Sequence, residues 1–204
     1  MKLGVKSLIA YSETVERFVR DISTGLIADI IEKGFHTSFG QRTSAAEKRS
    51  WGNSLVALSN VLNHPDIPGD MGVAVEFRLP KTSKRIDVIL SGLSEEEFPS
   101  VVIVELKQWS RAEATQLDGI VNTFVGGANR NVSHPSYQAW SYAQLIQDFA
   151  KVVEDASMTV SACAYLHNMA SKGGRSSLEL KDINCNNLSY LILKVGMHVM
   201  PLNY

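Results

Sequence analysis

Apolar residues first recur at helical spacing. From Ser12 to about Lys33, Val15, Phe18, Val19, Ile22, Leu26, Ile30 and Ile31 fall every three or four residues, which predicts one amphipathic helix stopped by Gly34. Residues 35–43 are polar and loop-like. Ser44 followed three residues later by Glu47 has the form of a capping box that opens a second helix. Trp51, Leu55, Leu58, Val61 and Leu62 give that helix its apolar face, and the prolines and glycines of His64–Gly72 end it.

The period then changes to that of strands. Val73–Leu79 and Arg85–Leu90, joined by a turn over Pro80–Lys84, predict a β-hairpin. After an acidic loop at Ser94–Ser100, Val101–Lys107 is apolar enough for a strand in mid-sheet. Ile120–Val125 predicts a short additional strand before Gly126-Gly127, within an otherwise weakly patterned stretch from 108 to 133. Pro135 suits the first turn of a helix running to about Asp155, and Met158–Leu166 is a fourth main strand. Past residue 168, Gly173-Gly174 marks a loop, and Leu191–Val195 fits either a strand or part of a short helix. The order α-α-β-β-β-(β)-α-β implies an α/β fold with a mixed central sheet flanked by helices.

Two hundred and four residues suffice for one domain with a buried core. The expected division is a helical extension at 1–43, a core at 44–167 and a C-terminal extension at 168–204. A 45% hydrophobic, 20% charged composition excludes wholesale disorder, and a net charge of -1 gives no global basic signature. Cys163 and Cys185 form no CxxC pair, so a reducing cytoplasm is the expected compartment. The longest apolar runs fall far short of the ~20 residues of a membrane helix, and the first residues lack the form of a secretory leader, so no membrane association is expected.

Alternation along a strand puts Arg85, Asp87 and Ile89 on one face, with Ile86, Val88 and Leu90 on the other. Glu105 and Lys107 likewise share a face. If the strands are neighbours, two carboxylates and an ammonium group meet, an arrangement costly without compensation. A hard divalent cation compensates well, and two carboxylates with waters suit Mg²⁺, with Mn²⁺ as a substitute. Such an ion activates water and steadies a phosphate, while Lys107 balances developing negative charge. A plain cross-strand salt bridge is the less specific alternative, disfavoured by the apolar character of the third strand.

These residues carry a family resemblance. Arg85-Ile-Asp87 followed by Val-Ile-Val-Glu105-Leu-Lys107 resembles the PD-(D/E)XK nuclease superfamily, with Arg85-Ile86 where the proline of its name would stand. Gln138-Ala-Trp-Ser-Tyr142 is similar to the Q-x-x-x-Y motif of RecB-like members, and residues four apart share a helix face. Ser50-Trp51, Asn53-Ser54-Leu55, Glu105-Leu-Lys-Gln-Trp109 and His134-Pro-Ser-Tyr-Gln138 further resemble the N-terminal nuclease region of bacterial P-loop helicase-like ATPases, over roughly residues 10–167. The phosphate-binding loop of such ATPases does not occur here.

The resemblance implies a restriction-endonuclease-like core and a metal-dependent deoxyribonuclease. Its catalytic residues would be Asp87, Glu105, Lys107, Gln138 and Tyr142, with Asp87 and Glu105 on the metal. DNA is the implied substrate, in bacterial DNA repair or defence against foreign DNA, with a helicase-like ATPase domain or chain as partner and a homodimer left open. Glu47 has two readings, a further metal ligand or only the capping-box acid. Glu76 reads as structural support, and His134 as a helix cap near the site. Lys81, Lys84, Arg85 and Lys107, with Arg111 and Arg130 in nearby loops, are candidates for a local phosphate-binding stripe. A catalytically inactive nuclease-fold module binding nucleic acid or protein, and an RNA-directed nuclease, stand as alternatives.

Overall fold

The computed structural model describes residues 7–94, 97–149, 155 and 157–169. Strand β1 (Ile9–Thr14) is followed by helices α1 (Val15–Ser23), α2 (Ile27–Phe39) and α3 (Ala45–Leu62). Strands β2 (Gly72–Arg78), β3 (Arg85–Leu93) and β4 (Pro99–Lys107) come next, then β5 (Glu113–Ala114), β6 (Ile120–Val125) and β7 (Ala128–Ser133). Helix α4 (Pro135–Phe149) and strand β8 (Thr159–Leu166) complete the described elements. The main sheet has the order β1-β2-β3-β4-β8, antiparallel except for the parallel pair β4 and β8. The fold is therefore α/β, with a mixed five-stranded sheet flanked by helices.

The expected helix from Ser12 to Lys33 is instead a strand and two helices. Ser12 lies in β1, opposite Ala74 of β2. The cap falls two residues later, where Thr14 Oγ1 accepts the Arg17 N–H at 3.2 Å. Gly25, at φ 72°, separates α1 from α2. Helical spacing survives across the break because both helices press Phe18 and Ile31 into one core.

Nor does Gly34 stop a helix. Helix α2 runs on to Phe39 and ends at Gly40, whose left-handed φ of 66° suits a C-cap, so most of the expected loop at 35–43 is helical. Gly34 sits where α2 crosses β1: a Cβ there would lie 1.9 Å from the Ala10 carbonyl oxygen. The missing side chain serves packing.

The remaining elements follow their expected places closely. The β2–β3 hairpin forms with Val75 opposite Val88, and Ser44 Oγ caps α3 by accepting the Glu47 N–H at 3.1 Å. Val102, Ile103 and Val104 are all fully buried, as a strand covered on both faces requires. On one side Leu55, Leu58 and Leu62 pack with Val88, Leu90, Val102 and Val104. On the other, Ala139, Tyr142 and Ala143 of α4 pack with Ile103, Ile86 and Leu79. Each such aliphatic side chain contributes roughly 1.5–3 kcal/mol by leaving water.

Ile86 corrects a detail of the expected alternation, since it packs with Ile103 and Tyr142 and not with Val88 and Leu90. The break coincides with Glu76, which stands between the paired couples Val75–Val88 and Phe77–Ile86 and has a left-handed φ of 57°. A non-glycine residue there departs from the pleat that alternation assumes.

Strand β6 matches the expected strand over 120–125, and β5 and β7 extend it into a second, three-stranded antiparallel sheet. Gly126 and Gly127, at φ 61° and 80°, form the two-residue hairpin turn. Helix α4 begins at Pro135 as expected, and part of its expected continuation to Asp155 lies outside the described residues. So do the Gly173-Gly174 loop, Cys185 and the element expected at Leu191–Val195. Among the described residues, no helix is long and apolar enough to cross a membrane.

Candidate active site

Where β2, β3 and β4 reach the end of their common ladder, three acids stand side by side. Glu76 lies across from Asp87 in the β2–β3 register, and Asp87 lies one residue beyond the last β3–β4 couple, Val88–Val104, across from Glu105. With Glu47 from α3 they line a cavity of 420 Å³, closed also by Trp51, Ser54, Arg85, Leu106 and Lys107. Asp87, Glu105 and Lys107, expected to meet if their strands are neighbours, do meet.

The local chain conformation explains their aim. Past Val104 the β3–β4 ladder gives way to a side chain: the Leu106 N–H donates to Asp87 Oδ2 at 2.8 Å. Glu105 Oε1 accepts from Lys107 Nζ at 2.6 Å and from Gln138 Nε2 at 2.7 Å. Gln138 Oε1 also receives Lys107 Nζ, at 3.5 Å, and Gln138 Nε2 reaches the Tyr142 hydroxyl at 3.2 Å. Helix α4 thus brings its Gln and Tyr, one turn apart, onto the acid–lysine pair.

Electrostatically the cavity is under stress. Burial pushes the carboxyl of Glu105, 2% exposed, up to about 7, and the neighbouring Asp87 charge adds to the rise against the pull of Lys107. Burial also raises Asp87, opposed by the Leu106 N–H, by Lys107 and Arg85, and by a hydrogen bond with Glu105. Glu76 rises to about 7 through burial, opposed by Trp51 and Arg85. Burial likewise raises the Tyr142 phenol. Glu105 Oε2 is buried and receives no hydrogen bond from a protein donor. A proton shared with Asp87 relieves that crowding, and so does a cation.

Glu47 and Glu76 form a second acidic pair around Arg85. Arg85 Nη2 donates to Glu47 Oε1 at 2.7 Å, while Nη1 lies 3.2 Å from Glu76 Oε2, within ion-pair distance but not aligned for a hydrogen bond. Trp51 Nε1 donates to Glu76 Oε1 at 2.7 Å, and the guanidinium stacks 4.8 Å from the Phe35 ring centre. Ser44 Oγ caps the Glu47 N–H, while the Glu47 carboxylate goes to Arg85. Glu76 is held from two sides, which offsets the roughly 1–3 kcal/mol of its left-handed backbone. Among the described residues no three His, Cys, Asp or Glu side chains are arranged to hold a metal ion. Arg85 divides the four acids into two pairs.

Other expected residues lie around this centre. His134 is buried, and its Nδ1 accepts the Ser136 N–H at 3.1 Å, the helix-cap role expected of it. The phosphate-binding stripe is not continuous. Lys84 lies 5.7 Å from the Tyr142 ring beside the site, whereas Arg111 is bonded to Asn129 on the second sheet. Arg130 also belongs to that sheet, in β7.

Arg85 and Gln108 matter more than their sequence context indicates. Gln108 Nε2 donates to Ser50 Oγ at 2.9 Å and Ser54 Oγ at 3.2 Å, tying the end of β4 to α3. The signal for Arg85 is its spacing of two from Asp87, which sends both toward the same side of β3. For Gln108 no local signal exists, because α3 lies more than fifty residues away. No protein-family model, curated protein or solved structure matches this chain.

Proposed function

We propose that the chain is a metal-dependent nuclease with a restriction-endonuclease-like core, hydrolysing phosphodiester bonds in DNA. One observation carries the proposal: Asp87 and Glu105 converge beside Lys107 in a single cavity, with Glu105 Oε2 buried and lacking a donor. Two adjoining carboxylates whose ionised forms burial disfavours are poor structural elements and good ligands for a hard cation. Asp87 and Glu105 fit Mg²⁺, which commonly takes one or two protein carboxylates and keeps its waters. When bound, the ion supplies an activated water and charge stabilisation at phosphorus.

The chain's own groups account for the rest. The Leu106 N–H fixes the Asp87 carboxylate, and Gln138 holds Glu105 and Lys107 at once. Lys107 places an ammonium group beside the acids, where it balances charge developing on a phosphate oxygen. Tyr142 buttresses Gln138, and Lys84 supplies a cation at the flank of the site. The resemblance of the sequence motifs extends the proposal to bacterial DNA repair or defence, with a helicase-like ATPase partner.

The test is incubation of plasmid, linear and single-stranded DNA, and of RNA, with Mg²⁺ or Mn²⁺, comparing wild type with Asp87→Ala and Lys107→Ala. Nicking or degradation of DNA by the wild type alone is expected. Equal cleavage by all three proteins, or none by any, sinks the proposal.

A further inference from the structure

Four acids line the cavity, Glu47, Glu76, Asp87 and Glu105, and two bases, Arg85 and Lys107. With every group ionised the cavity is two charges short of neutral, the charge of one divalent ion. The cations are also distributed one per pair. Lys107 contacts Glu105, and Arg85 bridges Glu47 and Glu76. Arg85 is anchored on both sides of its guanidinium, by the two carboxylates and by the Phe35 ring. Lys107 instead touches Glu105 through Oε1 and leaves Oε2 without a donor.

We infer that Arg85 is a built-in counter-ion that occupies the Glu47–Glu76 pair and so limits the cavity to a single divalent cation, at Asp87 and Glu105. This inference rests on the metal reading above and adds to it a stoichiometry and a gatekeeping residue. Two cations in one position exclude each other by charge and by volume, and a guanidinium paired to two carboxylates is not easily displaced by a strongly hydrated ion such as Mg²⁺. Removing the positive charge leaves Glu47 and Glu76 as an uncompensated acidic pair next to Asp87. A second divalent ion then has both the ligands and the charge deficit it needs. Glu47 is, in this arrangement, the arginine's partner and not a metal ligand.

The experiment is calorimetric titration of the full chain with Mn²⁺, paired with Mn²⁺ electron paramagnetic resonance to detect coupling between neighbouring ions. The wild type and Arg85→Lys are expected to bind one Mn²⁺ with the spectrum of an isolated ion. Arg85→Gln is expected to bind two, with spin coupling between them. Glu47→Gln provides a check independent of how well the arginine variant folds. It is expected to keep one Mn²⁺ with affinity within about twofold, whereas loss of a true ligand or its orienting partner costs about 10–100-fold. Two ions in the wild type, one ion in a folded Arg85→Gln, or a tenfold loss in Glu47→Gln overturns the inference and leaves the metal reading intact. No Mn²⁺ bound by the wild type overturns both.

Discussion

Asp87 accepts the backbone N–H of Leu106 at 2.8 Å, the residue that separates Glu105 from Lys107. One hydrogen bond therefore sets the first acid against the middle of the Glu-x-Lys tripeptide. The amide freed at the end of the β3–β4 ladder becomes the device that aligns the two halves of the site. A carboxylate bonded to a fixed N–H loses its freedom to swing toward Lys107, which keeps Lys107 with Glu105.

Asp87→Asn keeps an acceptor for the Leu106 N–H and removes a buried charge beside Glu105. Cleavage should fall by at least about 10³-fold in kcat, while the metal-free variant melts no lower than the wild type. Parallel measurement of turnover and melting temperature checks the split. A large loss of stability would show that the charge is structural.

Glu105 and Glu76 each rise from an ordinary value of 4.5 to about 7. Both hold their proton more tightly folded than unfolded, so their contribution to stability is fully present below about pH 4.5. It is lost as pH rises through 7. Shifts of that size correspond to roughly 3 kcal/mol per group. Metal-free chain should therefore melt at higher temperature near pH 5 than near pH 8, and Glu105→Gln should flatten the slope. Denaturation scans across pH, with chelator present, measure it. A profile rising from pH 5 to 8 contradicts the electrostatics described above.

Gln138 is the joint between α4 and the acid–lysine pair. In Gln138→Ala, Lys107 keeps its charge but loses a guide, and a misplacement of about 1 Å costs roughly 10²-fold in rate. The expected result is a kcat drop of that order with KM within a few fold. Tyr142→Phe, which keeps the packed ring and removes only the hydroxyl, should lose less than tenfold. Steady-state kinetics of both variants tests the ranking.

Gly34→Ala places a methyl group against the Ala10 carbonyl at the crossing of α2 and β1. Backbone must move to accept it, at a cost of roughly 1–3 kcal/mol. For a chain of this size that lowers the melting temperature by about 2–12 °C. Gly34 does not line the cavity, although its neighbour Phe35 packs on Arg85, so thermal denaturation should report the mutation more strongly than cleavage at 25 °C. An unchanged melting temperature would mean that α2 and β1 are less closely packed than described.

Strand β4 shows why part of the fold was legible in advance. A run of valine and isoleucine with no polar interruption has few places to go except mid-sheet, so its burial on both faces follows from composition. Asp87, Glu105 and Lys107 were legible for a related reason, since alternation is local geometry and needs only that the two strands be neighbours. Strand β1 was not legible, because its residues also fit the helical spacing of the segment behind them. Only the ladder to β2 decides between the two. Strand β7 is polar and exposed throughout most of its length, so the apolar alternation that signals a strand is missing from it.

Local chemistry in the chain, its periodicities, caps and a spacing of two along a strand, was enough to name Asp87, Glu105 and Lys107, while the meeting of the Gln138 and Tyr142 helix with them was expected from the family resemblance alone. Three-dimensional packing alone decided that Arg85 would take Glu47 and Glu76 for itself. Ion pairing depends on distance through space: the hairpin that carries Glu76 and Arg85 follows from local pattern, but the approach of α3, which brings Glu47 to Arg85, does not.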